Sequence, residues 1–448
     1  MKRLDPNVDQ EHSHTEEGVA LVEPPRRVKA PGNRGTVSLL ILGAGLILIG
    51  LNLRIGVASV GPVLSNILGD LDLSATVASL LTTIPVFAFG AFAFLAPGLT
   101  RRFGMHRVLG IIVIVLAAGI ALRLQPSLLA LFSGTVLVGA AIAVGNVLLP
   151  TAIKSDFSHR AGLMMGLYST SLFLGASMAS GLTVPMLSVF DGSWRSALGI
   201  WAIPAVLAAV LWIPQMLRRP GSLAGPDAGR RGAADAPSEV GEPPFRAILT
   251  DPIGWAVTGF MGIQSMSYYA ALTWVPAIFQ DSGMSAGQAG WMVSFSAFPA
   301  ILTCLITPAI AQALRPRWIG VVASVVLVGA AFVGLLVAPL AGAYVWMTML
   351  GLGQGVAISL SLSYIVWRSP DAHHTGHVST MAQGFGYLFA GLGPLCLGWL
   401  HTATGSWTAP LIALIVLLVF QLVSGSIASL DRHVRARGAY AREVVLRA

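Results

Sequence analysis

Charge is scarce in this chain. Asp, Glu, Lys and Arg together make up 10% of its 448 residues, whereas 55% are hydrophobic and the mean hydropathy is +0.77. An ordinary soluble domain carries about 25% charged residues. Apolar runs of about 20 residues, the length that crosses a bilayer as a helix, recur along the whole sequence. The composition therefore excludes a soluble protein and predicts an all-α, polytopic membrane protein.

Cysteine is almost absent, and so are the motifs of several protein classes. Cys304 and Cys396, the only two cysteines, fall in predicted spans, where packing is the expected role rather than a disulfide or a metal site. The cluster of His373, His374 and His377 has no Cys and a single Asp nearby, which favours a solvated loop over a zinc site. The chain has no phosphate-binding P-loop and no nucleophile–base constellation. We therefore expect no ATP-driven pump, no enzyme and no cofactor.

About twelve spans are predicted, in two sets of six on either side of a linker. The linker is rich in Gly, Pro, Ala and charge, a composition typical of flexible segments. The first set covers residues 37–62, 76–97, 107–125, 128–150, 162–188 and 196–216, and the second covers residues 252–279, 287–312, 318–338, 342–367, 378–401 and 408–430. The predicted organisation is a disordered tail (1–35), a six-helix bundle (36–216), the linker (217–250), a second six-helix bundle (251–431) and a second tail (432–448).

The basic residues indicate how the chain is oriented. All 27 Lys and Arg residues except Arg54, Arg123 and Arg195 lie in tails, linker or loops on one side of the predicted spans. By the positive-inside rule that side is the cytoplasm, so both termini and the linker are expected there. Since the positive charge follows the short loops, we interpret the net charge of +8 as membrane orientation and expect no nucleic-acid partner.

The two sets of spans also resemble each other. Pro97-Gly98-Leu99-Thr100 leaves the second span just before a group of arginines, and Pro308-Ala309-Ile310-Ala311 leaves the eighth span in the same way. Two similar six-helix halves around a linker are the architecture of transporters that hold a substrate between the halves near the membrane midplane.

Acidic residues are missing from every predicted span, and this makes Arg54 the most informative residue. A guanidinium in the hydrocarbon region needs a partner or a water-filled cavity. With Asn52 close by, the five donors of Arg54 suit an oxyanion, so the favoured ligand is a small anionic or electron-rich solute from solution. The alternative is that Arg54 snorkels to the headgroups. For Arg123, at the outer end of the third span, snorkelling and attraction of anions both remain open.

Amides and tyrosines in other spans are candidates for the remaining contacts. Gln264 and Tyr268 are four residues apart and share a helix face, so both can line one cavity. The neighbouring Tyr269 fits ordinary helix packing equally well. Further candidates, each either an interhelical hydrogen-bond partner or a substrate contact, are Asn146, Gln354, Gln383 and Tyr387. We predict no metal site, and no proton relay of side chains because no Asp, Glu or His is embedded in the membrane.

Several segments, in order along the chain, carry a resemblance to a known family. They are Leu51-Asn52-Leu53-Arg54, Pro97-Gly98-Leu99-Thr100-Arg101-Arg102-Phe103-Gly104, Arg123-Leu124-Gln125-Pro126, Leu149-Pro150-Thr151-Ala152-Ile153-Lys154, Gln264-Ser265 with Tyr268 or Tyr269, Trp274-Val275-Pro276, and the stretch from Met381-Ala382-Gln383-Gly384 to Gly393-Pro394. Together they resemble the major facilitator superfamily and, within it, the cyanate and 2-nitroimidazole transporters. The resemblance implies a conformational role for the loop with Arg101, Arg102, Gly104 and Arg107, although Arg101 stands where the superfamily usually has Asp.

The resemblance further implies twelve helices in two pseudo-symmetric six-helix bundles. We therefore predict a secondary or facilitative transporter of the bacterial inner membrane that moves a small anionic or polar solute, resembling cyanate, nitrate or a nitroimidazole, by alternating access. We expect a monomer in the lipid bilayer. Asn52 and Arg54 would hold the solute from the first half, and Gln264, Tyr268 and Gln383 from the second. The alternatives are a multidrug efflux transporter, which would need a buried carboxylate for cations, and a non-transporting sensor or scaffold.

Overall fold

The computed structural model describes residues 33–72, 75–217 and 245–434, and all regular structure in these ranges is helical. Most of the predicted tails and linker, namely residues 1–32, 218–244 and 435–448, lies outside the described residues. The chain divides into two compact units, and the boundary between them falls after Ile41. The first, Met1–Ile41, contains the start of the first helix, and the second, Leu42–Ala448, contains the contacts described below.

Twelve long helices follow one another along the described chain, and each coincides with one predicted span. They are α1 (Asn33–Ala58), α2 (Ala75–Ala93), α3 (Met105–Leu122), α4 (Leu128–Asp156), α5 (Ala161–Val189), α6 (Ala202–Met216), α7 (Pro252–Asp281), α8 (Ala286–Ala313), α9 (Ile319–Val337), α10 (Ala343–Trp367), α11 (Ala372–Thr404) and α12 (Thr408–Ala428).

Most of these helices are apolar enough to cross a membrane, and two are exceptions. Within the described ranges, nine helical segments are long and apolar enough, and α2 with its bent continuation makes a tenth. The exceptions, α7 and α11, have 30 and 33 residues but carry more polar side chains, among them the buried Gln264 and Gln383. Polar side chains at this depth face the protein interior rather than lipid. α7 and α11 pack against each other, and both amides are buried inside the protein.

The predicted span 76–97 is broken, whereas the predicted span 196–216 is a single membrane-spanning segment that contains a short first helix. After α2, the short helix Ala96–Phe103 continues at an angle of 55°, with a proline in its first turn that lacks a backbone donor. The short helix Trp194–Gly199 precedes α6, because Pro204 cannot donate to the Ile200 carbonyl, which accepts from the Ile203 N–H instead. The remaining short helices of the described ranges are Gly61–Val63, Leu64–Leu71, Ser158–Arg160 and Phe245–Ile248.

The first six helices contact the last six mainly where α2 meets α11 and α5 meets α8. The α2–α11 contact depends on a glycine. A Cβ on Gly90 would lie 2.7 Å from the Leu388 nitrogen and 2.8 Å from the Gly384 carbonyl oxygen. Small residues at helix interfaces allow two backbones to approach this closely, so Gly90 sets the distance between α2 and α11.

One end of the helices, called the basic end below, carries the arginines of several loops: Arg101, Arg102, Arg107, Arg317 and Arg368. Arg368 is 1% exposed and donates to Asp431 at 3.3 Å and to the Ser429 carbonyl at 3.3 Å. Arg317 donates to the same Asp431 carboxylate at 2.6 Å. The hydrogen bond from Arg317 holds the pKa of Asp431 below its usual value. These contacts join the loops after α8 and α10 to the segment after α12.

The histidine cluster lies in a helix, which corrects the solvated loop expected there. α11 begins at Ala372, and Asp371 caps it by accepting from the His374 N–H at 2.8 Å. A capping carboxylate satisfies a free N–H of the first turn, so the helix starts before the apolar run does. As a result His374 and His377 are each only 7% exposed.

The cap predicts a pH dependence. The hydrogen bond from the His374 side chain lowers the pKa of Asp371 from 3.8 to about 2. A lowered pKa stabilises the folded state above the unfolded value, and the contribution is lost as the pH falls through the folded value. We expect Asp371→Ala to cost about 1 kcal/mol at neutral pH and the difference to shrink below about pH 4. Thermal unfolding in detergent between neutral and acidic pH measures it. Asp371→Asn, which keeps a side-chain acceptor, is the control. A stability difference between wild type and Asp371→Ala that did not change with pH would contradict the prediction.

Candidate functional site

Arg54 lies in a small pocket between the two halves of the chain. The pocket, called the Arg54 pocket, has a volume of about 20 Å³, which is close to the space of a single water molecule. α1 contributes Arg54, while the remaining lining residues come from α5, α7 and α10. They are Leu172, Phe173, Gln264, Ser265, Tyr268, Tyr269 and Ile358. In this conformation a solute can enter only if some of these side chains move.

The guanidinium of Arg54 is hydrogen-bonded to phenol hydroxyls of the second half. Its Nη1 donates to the Tyr269 hydroxyl at 2.5 Å, and its Nη2 donates to the Tyr387 hydroxyl at 3.4 Å. Tyr269 belongs to α7 and Tyr387 to α11. A single side chain of the first half therefore connects two helices of the second half at the centre of the protein.

Arg54 has only neutral partners. Its contacts in the described part of the chain are the two phenol hydroxyls and the face of the Tyr269 ring, 6.0 Å from the guanidinium carbon, and none is a carboxylate. Hydroxyls stabilise a buried cation only in part, because the charge itself stays uncompensated. The arrangement therefore attracts an anion or the electron-rich edge of a polar solute. It also excludes snorkelling, since the guanidinium points into the protein.

Three predicted site residues lie at Arg54. Gln264 and Tyr268 line the pocket, and Tyr387 contacts the guanidinium. Gln264 Nε2 donates to the Ser265 hydroxyl at 2.7 Å. The strongest partner of Arg54, Tyr269, is not among the predicted site residues, because its position beside Tyr268 was compatible with ordinary helix packing.

Asn52 and Arg123 lie elsewhere. The Asn52 amide donates to the Leu48 carbonyl at 2.9 Å and to the Pro204 carbonyl of α6 at 3.1 Å, so it faces away from the Arg54 pocket. Arg123 is 1% exposed, which excludes snorkelling, and its Nη1 donates to the Gly56 carbonyl in the last turn of α1 at 2.7 Å. A cation at the C-terminus of a helix is favourable, so Arg123 supports the turn that follows Arg54.

Asn146 and Gln383 connect the two halves on the basic-end side of the pocket. Gln383 Nε2 donates to the Asn146 backbone carbonyl at 2.6 Å and to the Ser379 hydroxyl at 2.9 Å. The Asn146 side-chain oxygen accepts from the Tyr168 hydroxyl at 3.3 Å. Neither amide lines the Arg54 pocket. A solute that leaves the pocket toward the basic end has to separate this α4–α11 contact.

The loop implied in the conformational cycle lies at the basic end. Arg101 and Arg102 are exposed in the last turn of the helix Ala96–Phe103. Gly104 has φ 81°, a conformation that favours glycine, and separates that helix from α3. Arg107 Nε donates to the Met216 carbonyl at the end of α6 at 3.3 Å. At the nearby end of α4, His106 Nε2 lies 3.6 Å from the Asp156 carboxylate.

A larger cavity, called the cleft, adjoins the Arg54 pocket. It has a volume of about 170 Å³ and lies among the halves of α5, α7, α8 and α10 that are remote from the basic end. Its wall includes Ala176, Ser177, Ser180, Gly181, Ala271, Leu272, Val275, Trp291, Ser294, Phe298, Gly351 and Gln354. Phe173 and Tyr268 line both cavities, and their rings meet edge to face with centroids 5.7 Å apart. These two rings separate the cleft from the Arg54 pocket.

Tyr269 provides a test of how Arg54 is held. We expect Tyr269→Phe to lower the KM for a transported anion by about threefold to tenfold, because the guanidinium no longer has to leave that hydroxyl to bind the solute. Initial uptake rates over a range of anion concentrations measure the effect. Tyr364→Phe removes a buried hydroxyl that has no hydrogen-bond partner and is the matched control. A higher KM in Tyr269→Phe would mean instead that the hydroxyl binds the solute.

Comparisons with known proteins identify the family and the fold of this chain. The sequence profile of the Major Facilitator Superfamily matches residues 42–394 and 261–439. A 2-nitroimidazole transporter of Escherichia coli (strain K12) is 35% identical over 88% of this chain and 97% of the relative, and the cyanate transport protein CynX of the same organism is 30% identical over 81% and 90%. An uncharacterized transporter of Bacillus subtilis (strain 168), YycB, is 36% identical over 90% and 97%. The proton:xylose symporter XylE has the same fold, with a TM-score of 0.69, 12% identity and coverage of 92% of this chain and 99% of that one.

Proposed function

The chain belongs to the major facilitator superfamily, and we propose that it carries a small anionic or electron-rich polar solute that binds at Arg54. Membership makes it a multi-pass membrane transporter of small solutes. One observation supports the choice of solute: the guanidinium of Arg54 lies between the two halves, and its partners among the described residues are all neutral. Relatives that are named as transporters of cyanate and 2-nitroimidazole support a solute of small size.

The site proposed for the solute consists of Arg54 from the first half and of Gln264, Tyr268, Tyr269 and Tyr387 from the second. Alternating access requires that both halves contact the solute, because only then does binding favour closure around it. Arg54 supplies the charge, and the Tyr268 hydroxyl and the Gln264 amide are donors for a second polar atom of the solute. The Tyr269 and Tyr387 hydroxyls hold the guanidinium until the solute takes their place. Asn52 is left out of this site, since its amide faces α6.

The proposed location is the inner membrane of the cell. The proposed orientation follows the positive-inside rule, so the basic end and both termini lie in the cytoplasm. The five arginines of that end, which lie in loops or near helix ends, support it. Efflux of cationic drugs is not favoured, because the pocket offers a cation no carboxylate among the described residues that line it. We also propose that the protein moves its solute unchanged and acts as a monomer.

Uptake into proteoliposomes tests the proposal. The purified full-length protein is reconstituted, and uptake of cyanate, nitrate and 2-nitroimidazole is compared with uptake of a lipophilic cation such as tetraphenylphosphonium. We expect saturable uptake of at least one of the first three solutes, competed by the others, and no protein-dependent uptake of the cation. Saturable uptake of the cation alone would overturn the proposal.

A further inference from the structure

We propose that the cleft is a binding site for the aromatic ring of a solute whose anionic or electron-rich group reaches Arg54. The proposal rests on the proposed function, because it extends the same site. It also narrows the substrate class: the transporter would accept small aromatic or heteroaromatic anions and not only ringless ions.

The first argument is size. The Arg54 pocket, at about 20 Å³, has no room for a ring, whereas the cleft measures about 170 Å³. An apolar cavity of roughly 150 Å³ is sufficient for benzene. A substituted five- or six-membered ring therefore matches the cleft, and its charged substituent matches the pocket beside it.

The second argument is adjacency. The cleft and the Arg54 pocket share Phe173 and Tyr268, whose rings are in contact. Tyr268 is half-buried, and such aromatic side chains change rotamer without unfolding their helices, so a rotation of the Tyr268 ring would join the two cavities. In the joined cavity, a ring in the cleft would lie against the aromatic side chains, which offers edge-to-face contacts.

The third argument is the chemistry of the wall. Apolar side chains such as Ala271 and Val275 form most of it, as a ring requires. A few polar groups interrupt them. The Ser177 hydroxyl is buried and has no hydrogen-bond partner in the described structure, and the Gln354 amide lies on the opposite wall, where it donates to Ser267 at 3.1 Å. Since unpaired buried polar groups are rare, the free Ser177 hydroxyl is available to a ring nitrogen or ring substituent.

A glycine allows the cleft to be filled without disturbing the helices. Gly181 lies in α5 on the wall of the cleft, and a Cβ added there meets no heavy atom within 4 Å. Gly290 in α8 is equally open but does not line the cleft. Gly181→Phe therefore fills the cleft, and Gly290→Phe makes the same substitution outside it.

The experiment compares uptake of benzoate, which has a ring and a carboxylate, with uptake of cyanate, which has no ring, in proteoliposomes. We expect Gly181→Phe to lower benzoate uptake by about tenfold or more and cyanate uptake by less than about twofold. Gly290→Phe should leave both close to wild type. If Gly181→Phe does not yield folded protein, Ser177→Leu fills the cleft from the neighbouring turn and is expected to act in the same direction.

Three results would overturn the ring site. Equal loss of benzoate and cyanate in Gly181→Phe would make the cleft an access path only. No loss of either would mean that the ring does not enter the cleft, as when a lipid acyl chain occupies it. If the wild-type protein takes up cyanate but does not take up benzoate, the ring site is contradicted and the proposed function stands. Wild-type protein that carries neither these solutes nor nitrate and 2-nitroimidazole would contradict the proposed function itself.

Discussion

Arg54→Ala is expected to lower anion uptake by about 100-fold or more, since truncating one member of a buried, charge-assisted contact costs several kcal/mol. The variant should remain folded, because the guanidinium is held by two hydroxyls only and its removal leaves no charge unpaired. Arg54→Lys keeps the charge but loses the planar fork, so we expect an intermediate loss of about tenfold. Initial rates of cyanate or 2-nitroimidazole uptake in proteoliposomes measure both effects.

Arg195→Ala is the matched control for Arg54→Ala. Arg195 donates to Asp70 at 2.6 Å at the end remote from the Arg54 pocket, and both side chains are partly exposed. Ion pairs of this kind contribute about 1 kcal/mol or less, so uptake should stay near wild type. If Arg54→Ala and wild type took up anions at the same rate, Arg54 would not bind the solute.

Gly90→Leu is expected to lower the maximal uptake rate by about tenfold or more, because overpacking at a close helix contact costs a few kcal/mol. The added Cβ meets the Leu388 Cγ and also backbone atoms of Leu388 and Gly384, which cannot turn away as the end of a flexible side chain can. α2 and α11 must therefore separate. Each half has its own internal contacts, so we expect the effect on transport to exceed the effect on the unfolding temperature.

The control for Gly90→Leu is Gly69→Leu in the short helix Leu64–Leu71, where an added Cβ meets no heavy atom. That variant should transport like wild type. A Gly90→Leu protein with normal maximal rate would show that the α2–α11 contact is not formed during the transport cycle.

The sequence alone was sufficient to predict the helices and to single out Arg54 as the candidate residue at the centre of the protein. Apolar length and the basic loops predicted twelve spans, and the confirmed fold has them. The hypothesis that Arg54 binds the solute came from the missing acidic residues, which are a property of composition and not of geometry, and it stays a prediction. Gln264 and Tyr268 reached the same pocket because residues four apart share a helix face.

The neighbours of these residues were harder to predict. Tyr268 and Tyr269 point about 100° apart on a helix, and the sequence does not reveal which direction faces α1. For Asn52 the signal was present: residues two apart on a helix do not face each other, so Asn52 and Arg54 could not line one pocket from a regular α1. Gln383 lies one turn from Tyr387 toward the basic end, and only the contact with α4 shows that it joins the halves there.

The phenol oxygens that hold Arg54 compete with any incoming solute for the same N–H groups. The net gain on loading is thus the charge-assisted hydrogen bonds of the anion minus the weaker bonds to the two hydroxyls, and it is smaller than the gain at an unoccupied guanidinium. The same two hydroxyls assist release on the other side of the membrane, because they take the place of the departing solute at the guanidinium.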